Sequence, residues 1–163
     1  MKTLRPVLLT VAAICLMLLG VALYLQHALD MLPCPLCVIQ RYAFAAVAVF
    51  CLVGAFLPRT GAAVAAALAG LSALAGAGVA GWHLWIKSQP SASCGIDPLE
   101  TSLNTIPSAK LLPFLFEANG LCSTEYPPIL GLSIPQWSLI WFVLLFLVLA
   151  YALRRHCAQA RER

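Results

Sequence analysis

Four long apolar runs limit what this chain can fold into more than any other feature of its sequence. They cover residues 7–26, 37–57, 62–86 and 135–153. Roughly 20 helical residues cross a hydrocarbon core about 30 Å thick, so each run is long enough to span a membrane. With 62% hydrophobic and only 10% charged residues, the chain is too apolar for an ordinary soluble domain. We therefore predict an all-α membrane protein, a single domain over residues 1–163 built as a bundle of four transmembrane helices.

The charged residues divide the chain into two sides. Seven of the ten lysines and arginines precede the first run, separate the second from the third, or follow the fourth. Five of the six acidic residues lie in the other two connections. The positive-inside rule then predicts cytoplasmic termini, with one short and one long loop, residues 87–134, on the outer side. Topology explains the basic tail, and no basic patch interleaved with aromatic residues argues for binding to nucleic acid.

The third run is rich in small residues, since thirteen of the nineteen residues from 62 to 80 are Ala or Gly. Small side chains let helices approach closely, and Ala62, Ala66 and Gly70 repeat at the small-xxx-small spacing. We therefore expect the third helix to be packed at the centre of the bundle. An aromatic belt at the outer membrane interface is predicted from four tryptophans near the ends of the third and fourth helices, namely Trp82, Trp85, Trp137 and Trp141.

A Cys-X-X-Cys pair stands where the second run begins. Pro33 and Pro35 flank Cys34, and Cys37 lies three positions after Cys34. Proline is tolerated before or at the start of a helix but not inside it, so the second helix is predicted to begin near Cys37. The positive end of a helix stabilises an anion and favours the thiolate of Cys37. We interpret the pair as redox-active, because a disulfide at this spacing forms and breaks without large backbone motion.

Two further side chains are predicted at the depth of this pair. Arg41 lies four residues after Cys37, on the same helical face and one turn deeper. A guanidinium near the bilayer surface needs a partner. It therefore stabilises the thiolate or donates to a bound acceptor, and the alternative is snorkelling to lipid phosphates. His83, near the outer end of the third helix, is a candidate donor to a reduced acceptor, or else an interfacial histidine among headgroups.

A second cysteine pair, Cys94 and Cys122, brackets 27 residues of the long loop. In an oxidising compartment the two are expected to form a disulfide. A structural disulfide that closes a loop of this length adds about 3–4 kcal/mol to the free energy of unfolding. An exchangeable bridge instead presents a sulfur to a soluble partner, and the residues alone leave both interpretations open.

Metal binding is the other use of four cysteines. A Cys₄ zinc site usually joins two closely spaced pairs, and the second pair here is too widely spaced, so no metal is expected. The remaining cysteines are interpreted as small buried or reduced thiols, namely Cys15, Cys51 and Cys157.

Taken in order along the chain, these residues resemble the DsbB family of bacterial inner-membrane disulfide oxidoreductases. The resemblance covers nearly the whole chain and includes four further short motifs: Gln26-His27, Gly120-Leu121-Cys122, Leu130-Gly131-Leu132 and Pro135-Gln136-Trp137. It implies a multi-pass protein of the inner membrane with its active cysteines in the periplasm. That protein would reoxidise a thioredoxin-like dithiol oxidase (DsbA-like) and pass the electrons to a quinone in the lipid bilayer.

The resemblance also implies roles for the cysteines. The partner attacks the loop disulfide, Cys94 forms the mixed disulfide, and the released Cys122 exchanges with Cys34. Cys37 is left as a thiolate that faces a quinone, expected to be ubiquinone, with menaquinone as the alternative.

Further implied roles concern the quinone site and the loop. Arg41 and His83 are the implied contacts of the quinone. The apolar patch Leu111–Phe116 is expected to form one short helix on the membrane, limited in length by Pro113.

Two other functions are alternatives to the one that the resemblance implies. A quinone-coupled enzyme of the vitamin K epoxide reductase type also uses a Cys-X-X-Cys, although its active pair is expected near the last helix. A four-helix membrane scaffold with structural disulfides would reduce no quinone, and its disulfides would resist mild thiols.

Overall fold

The structure is a computed structural model that describes residues 4–89, 98–118, 120 and 126–161. It contains four helices long and apolar enough to cross a membrane, which confirms the predicted fold class. Three short helices lie between the third and fourth of these. In chain order, the seven are α1 (Leu4–Ala28), α2 (Pro35–Phe56), α3 (Arg59–Lys87), α4 (Pro98–Thr105), α5 (Pro107–Leu111), α6 (Pro113–Phe116) and α7 (Ile134–Arg161).

All four long helices begin before their predicted starts, and all but α2, which ends at Phe56 rather than 57, end after their predicted last residues. Two of the differences have clear causes. α2 begins at Pro35 rather than 37, because proline suits the first helical position, where its missing N–H would have no intrahelical partner. α7 continues to Arg161 rather than ending at 153. Arg154 and Arg155 end the apolar run, but arginine is a good helix former and does not end the helix. The hydropathy pattern therefore identified the segment that spans the membrane, but not the residue at which the helix ends.

The small-residue face of α3 packs at the centre of the bundle, as predicted. α3 contacts both α2 and α7, and α1 packs against α2. Phe142 of α7 is fully buried and stacks on Phe44 of α2, with ring centroids 3.9 Å apart. Gly76 of α3 lies directly against the Phe142 ring, so that a Cβ atom at this position would overlap it. The three helices thus approach one another at Gly76, where α3 has no side chain to keep the Phe142 ring away.

The long connection between α3 and α7 is tied to the bundle by side chains. Phe116 of α6 stacks on Tyr42 of α2, with ring centroids 4.1 Å apart and planes 9° from parallel. The Asn104 side chain of α4 donates to the carbonyl of Ala118 at 3.0 Å and accepts from the Ala118 N–H at 2.9 Å. These contacts hold the segment that follows α6 beside the N-terminal half of α2.

The expectation of a single short helix over Leu111–Phe116 is wrong. α5 ends at Leu111 and α6 begins at Pro113, with Leu112 between them at φ −130° and ψ 62°. Pro113 has no N–H to donate, and its ring disfavours helical geometry for the preceding residue. The patch is therefore divided into two short helices.

A tight turn precedes α7. Leu130 and Gly131 both have positive φ, 53° and 82°, and Ile129 pairs with Leu132 across the turn. Two successive positive φ values are typical of a type I′ turn, whose second central position favours glycine. Trp137 donates its Nε1–H to the Ile129 carbonyl at 2.9 Å. The turn and the start of α7 are thereby held together.

Gly76→Ala is expected to destabilise the bundle, and Gly78→Ala is the matched control because nothing lies within 4 Å of a Cβ there. Both changes gain helix propensity of up to about 1 kcal/mol. Only Gly76→Ala displaces the Phe142 ring, and overpacking of this kind costs about 1–3 kcal/mol. Thermal unfolding in detergent should show a lower Tm for Gly76→Ala than for Gly78→Ala. Equal Tm values would contradict this account of the α3–α7 contact.

Candidate active site

The Cys-X-X-Cys pair lies at the N-terminus of α2. Cys34 is the N-cap residue, and its sulfur accepts a hydrogen bond from the Cys37 N–H at 3.4 Å. The first N–H groups of a helix have no intrahelical partner, and here a sulfur takes that position. The two Sγ atoms lie 2.9 Å apart, with Cys34 as the donor. Both sulfurs thus lie at the positive end of α2, where a thiolate is stabilised.

His83 reaches this pair from α3. Its side chain is only 3% exposed, and its Nε2 lies 3.8 Å from Cys34 Sγ. Its other ring nitrogen, Nδ1, lies 3.4 Å from Nε2 of Gln40. The sequence predicted His83 at this depth, whereas Gln40 was not identified. The available signal was a polar amide inside an apolar run, three residues after Cys37.

Arg41 is buried inside the protein, with 7% of its surface exposed. Its Nη1 donates to Gln26 Oε1 at 2.6 Å and to the Leu115 carbonyl at 2.9 Å. Its Nη2 donates to the Ala22 carbonyl at 3.4 Å. The guanidinium therefore connects α2 to α1 and α6. Its burial argues against the alternative that Arg41 snorkels to lipid headgroups.

Cys94 and Cys122 lie outside the described residues. Two described neighbours of Cys122 are nevertheless fixed on the chain that leads into Cys34. The Gly120 N–H donates to the Pro33 carbonyl at 3.0 Å, and the Tyr126 hydroxyl donates to the Leu32 carbonyl at 3.2 Å. Gly120 packs so closely on Leu32 that a Cβ atom would overlap the Leu32 carbonyl. Both ends of the chain segment that contains Cys122 are thus anchored immediately before the Cys-X-X-Cys pair.

A cavity of about 320 Å³ opens beside the pair. Both cysteines, Arg41 and His83 are among the residues that line it. The remaining wall is largely apolar and comes from α1, the turn before α7 and α7 itself, including Leu18, Leu25, Ile129, Trp137 and Trp141. Binding sites for small molecules commonly combine an apolar wall with a few convergent polar groups. The structure therefore brings four of the six predicted site residues to one cavity.

This arrangement suits dithiol–disulfide chemistry next to an apolar ligand. The sulfurs are close enough to join after a small movement, since a disulfide bond is about 2.05 Å long. The helix end stabilises negative charge on sulfur, and His83 Nε2 lies within reach of Cys34 Sγ. The two cysteines share the cavity with its largely apolar wall, so a ligand in the cavity would lie beside the reacting residues.

Comparison with known proteins gives a consistent result. The family model described as Disulfide bond formation protein DsbB matches residues 4–152. A protein of Herminiimonas arsenicoxydans named Disulfide bond formation protein B is 68% identical over 151 residues, 93% of this chain and 96% of that protein. Proteins of the same name from Ralstonia nicotianae and Burkholderia pseudomallei are 49% and 46% identical, over 93% and 96% of this chain and 94% of each relative.

Arg41→Lys is expected to loosen α6 from the bundle. A single ammonium cannot reach the three acceptors that the planar guanidinium satisfies on two other helices, and hydrogen bonds to charged groups contribute about 1.5–3 kcal/mol each. Hydrogen–deuterium exchange should therefore rise over residues 113–118. The control is Arg59→Lys at the opposite end of the bundle. If exchange at 113–118 is the same in both variants, Arg41 does not hold this segment.

Proposed function

This chain belongs to the DsbB family of disulfide bond formation proteins, and on that premise we propose that it reoxidises a periplasmic DsbA-like dithiol oxidase and passes the electrons to a membrane quinone. Family membership establishes a membrane protein of disulfide bond formation, with four helices suited to spanning the bilayer. The proposal adds the electron acceptor, the partner and the order of sulfur exchange. It treats residues 1–163 as one functional domain in the bacterial inner membrane.

The observation that carries the proposal is the position of both cysteines in the wall of the apolar cavity. A quinone presents an apolar ring and two carbonyl oxygens, so its site needs an apolar wall and hydrogen-bond donors. Arg41 and His83, which line the same cavity as the two cysteines, supply donors. Among the contacts seen in the described part of the chain, three of the five guanidinium N–H groups have acceptors. The residues present therefore fit a quinone.

The chain's own groups can prepare the sulfur for oxidation. If Gln40 donates to Nδ1 of His83, the ring proton lies on Nε2 and points at Cys34 Sγ. That N–H and the Cys37 N–H then stabilise negative charge as thiols become thiolates. The buried, permanently charged Arg41 adds a positive charge one turn deeper.

The electron balance of the proposed reaction closes. Formation of the Cys34–Cys37 disulfide from two thiols releases two electrons and two protons. A bound quinone supplies the acceptor, because its reduction to a quinol consumes two electrons and two protons. The disulfide is then available for exchange with the reduced loop pair, and that pair oxidises the partner.

The path from the loop pair to the active pair is supported by the anchors on either side of Cys122. Gly120 bonds to Pro33, and Cys122 is only two residues from Gly120, at most about 7 Å along an extended chain. Attack by one sulfur on another requires direct approach. We therefore assign the exchange between the pairs to Cys122 and Cys34, and the mixed disulfide with the partner to Cys94.

The proposed orientation follows from charge. The Cys-X-X-Cys pair lies at the end of the bundle opposite Arg59, Arg154 and Arg155, since α2 begins at the pair and ends just before Arg59. The positive-inside rule favours those arginines on the cytoplasmic side. The sulfurs and the cavity mouth would then face the periplasm, where disulfides persist.

Cys37→Ser tests the proposal directly. A hydroxyl cannot form a disulfide, so quinone reduction by a reduced DsbA-like partner should be abolished. Tm and secondary structure should stay near wild type, because serine is smaller and the site is at a helix terminus. Cys157→Ser, at the far end of α7, is the control and should turn over normally. Normal turnover in Cys37→Ser would reject the proposal, and a scaffold with structural disulfides predicts no quinone reduction in any form of the protein.

Gly120→Ala tests the exchange between the two pairs. Its added methyl group displaces the segment carrying Cys122 from the chain before Cys34. If the displacement raises the activation free energy of the exchange step by about 1.4 kcal/mol, the rate of quinone reduction driven by the partner falls about tenfold. Reduction driven by a small dithiol that attacks Cys34–Cys37 directly should be unchanged. Gly78→Ala is the control. Equal loss with both reductants, or no loss with either, would contradict this role of Gly120.

A further inference from the structure

We propose that the reduced Cys34–Cys37 pair and His83 together form a binding site for a thiophilic divalent cation of the zinc type. The two Sγ atoms and one ring nitrogen of His83 all lie within 4.8 Å of one another. The site was not expected from the sequence, where only a set of four cysteines was considered. Its third ligand comes from α3 and lies 46 residues after Cys37, far outside the short ligand spacings typical of structural zinc motifs.

The distance between Cys34 and His83 is already close to that of a tetrahedral site, whereas the two sulfurs must move apart. Zinc bonds of about 2.3 Å to sulfur and about 2.0–2.1 Å to nitrogen place two sulfurs about 3.8 Å apart, and a sulfur and a nitrogen about 3.6 Å apart. Cys34 Sγ lies 3.8 Å from His83 Nε2. The two sulfurs are 2.9 Å apart, so they must separate by about 0.9 Å. Rotation of one cysteine side chain supplies a movement of that size.

Gln40 completes the arrangement on the far side of His83. Histidines that bind a metal usually donate their second ring N–H to a neighbouring group. Nδ1 of His83 lies 3.4 Å from the Gln40 side-chain amide. A half-turn of that amide exchanges its oxygen and nitrogen, so that Nδ1–H donates to oxygen and the Nε2 lone pair faces the sulfurs. The amide therefore supports either state of the histidine.

The site exists only in the reduced protein. Zinc binding to two thiols releases two protons and transfers no electrons, whereas a disulfide leaves no thiolate to bind. Two thiolates neutralise the charge of the dication, so that the nearby Arg41 remains the only net charge in this group of side chains. Three protein ligands leave a fourth position open, and both cysteines and His83 line the cavity. A bound cation would hold the pair reduced and prevent its disulfide from forming.

The test uses the full-length chain carrying Cys94→Ser and Cys122→Ser, which removes the other cysteine pair. The protein is reduced with a phosphine, and Zn²⁺ is titrated in competition with a chromophoric chelator. We expect one Zn²⁺ per reduced chain and none after the Cys34–Cys37 disulfide has been formed. Co²⁺ in place of Zn²⁺ should show thiolate-to-cobalt charge-transfer absorption. Neither measurement involves quinone or partner, so the outcome is independent of the function proposed above.

Two variants assign the ligands. Cys34→Ser should abolish stoichiometric binding, and His83→Asn should weaken it at least tenfold. His156→Asn is the matched control, because His156 is also buried but lies at the other end of the bundle. The proposal is overturned if the reduced and disulfide forms bind alike, if Cys34→Ser still binds one equivalent, or if His83→Asn and His156→Asn have the same affinity.

Discussion

The start of α2 is the constraint on which the site depends. Pro35 takes the first helical position and Cys34 becomes the N-cap, so the helix can begin only between the two cysteines. Both sulfurs are thereby placed at the positive end of a helix, where negative charge on sulfur is stabilised. A helix that began one turn earlier would bury Pro35 in its interior and lose this arrangement.

The packing of α3 then brings a histidine to the sulfurs. α3 approaches α2 and α7 closely because much of its buried face is Ala or Gly. Its C-terminal end therefore runs past the start of α2, and His83 reaches Cys34. Arg41 acts in the other direction, from α2 to α1 and α6, and its burial is tolerated because its donors meet carbonyl and amide oxygens. The polar groups of an otherwise apolar cavity are thus positioned by contacts between helices.

What the sequence could predict was local. Hydropathy identified the four spans, proline placed the start of α2 within two residues, and helical periodicity placed Arg41 near Cys37. The contacts of Gln40 with His83, and of Arg41 with the Leu115 carbonyl, join residues 43 and 74 positions apart. No local pattern encodes such pairings. The division of α5 from α6 was within reach, because Pro113 disfavours a helical Leu112. In the prediction from sequence, Pro113 only limited the length of one helix and did not divide the patch.

The central claim is that sulfur atoms at the start of α2 transfer electron pairs to a quinone in the adjacent cavity. The most direct measurement mixes the purified protein with a reduced thioredoxin-like oxidase and ubiquinone, then compares the loss of quinone absorbance with the disulfides formed in the oxidase. The account predicts one quinone reduced for each disulfide formed, at catalytic amounts of the protein. Oxidation of the partner without matching loss of quinone, or no oxidation at all, would contradict it.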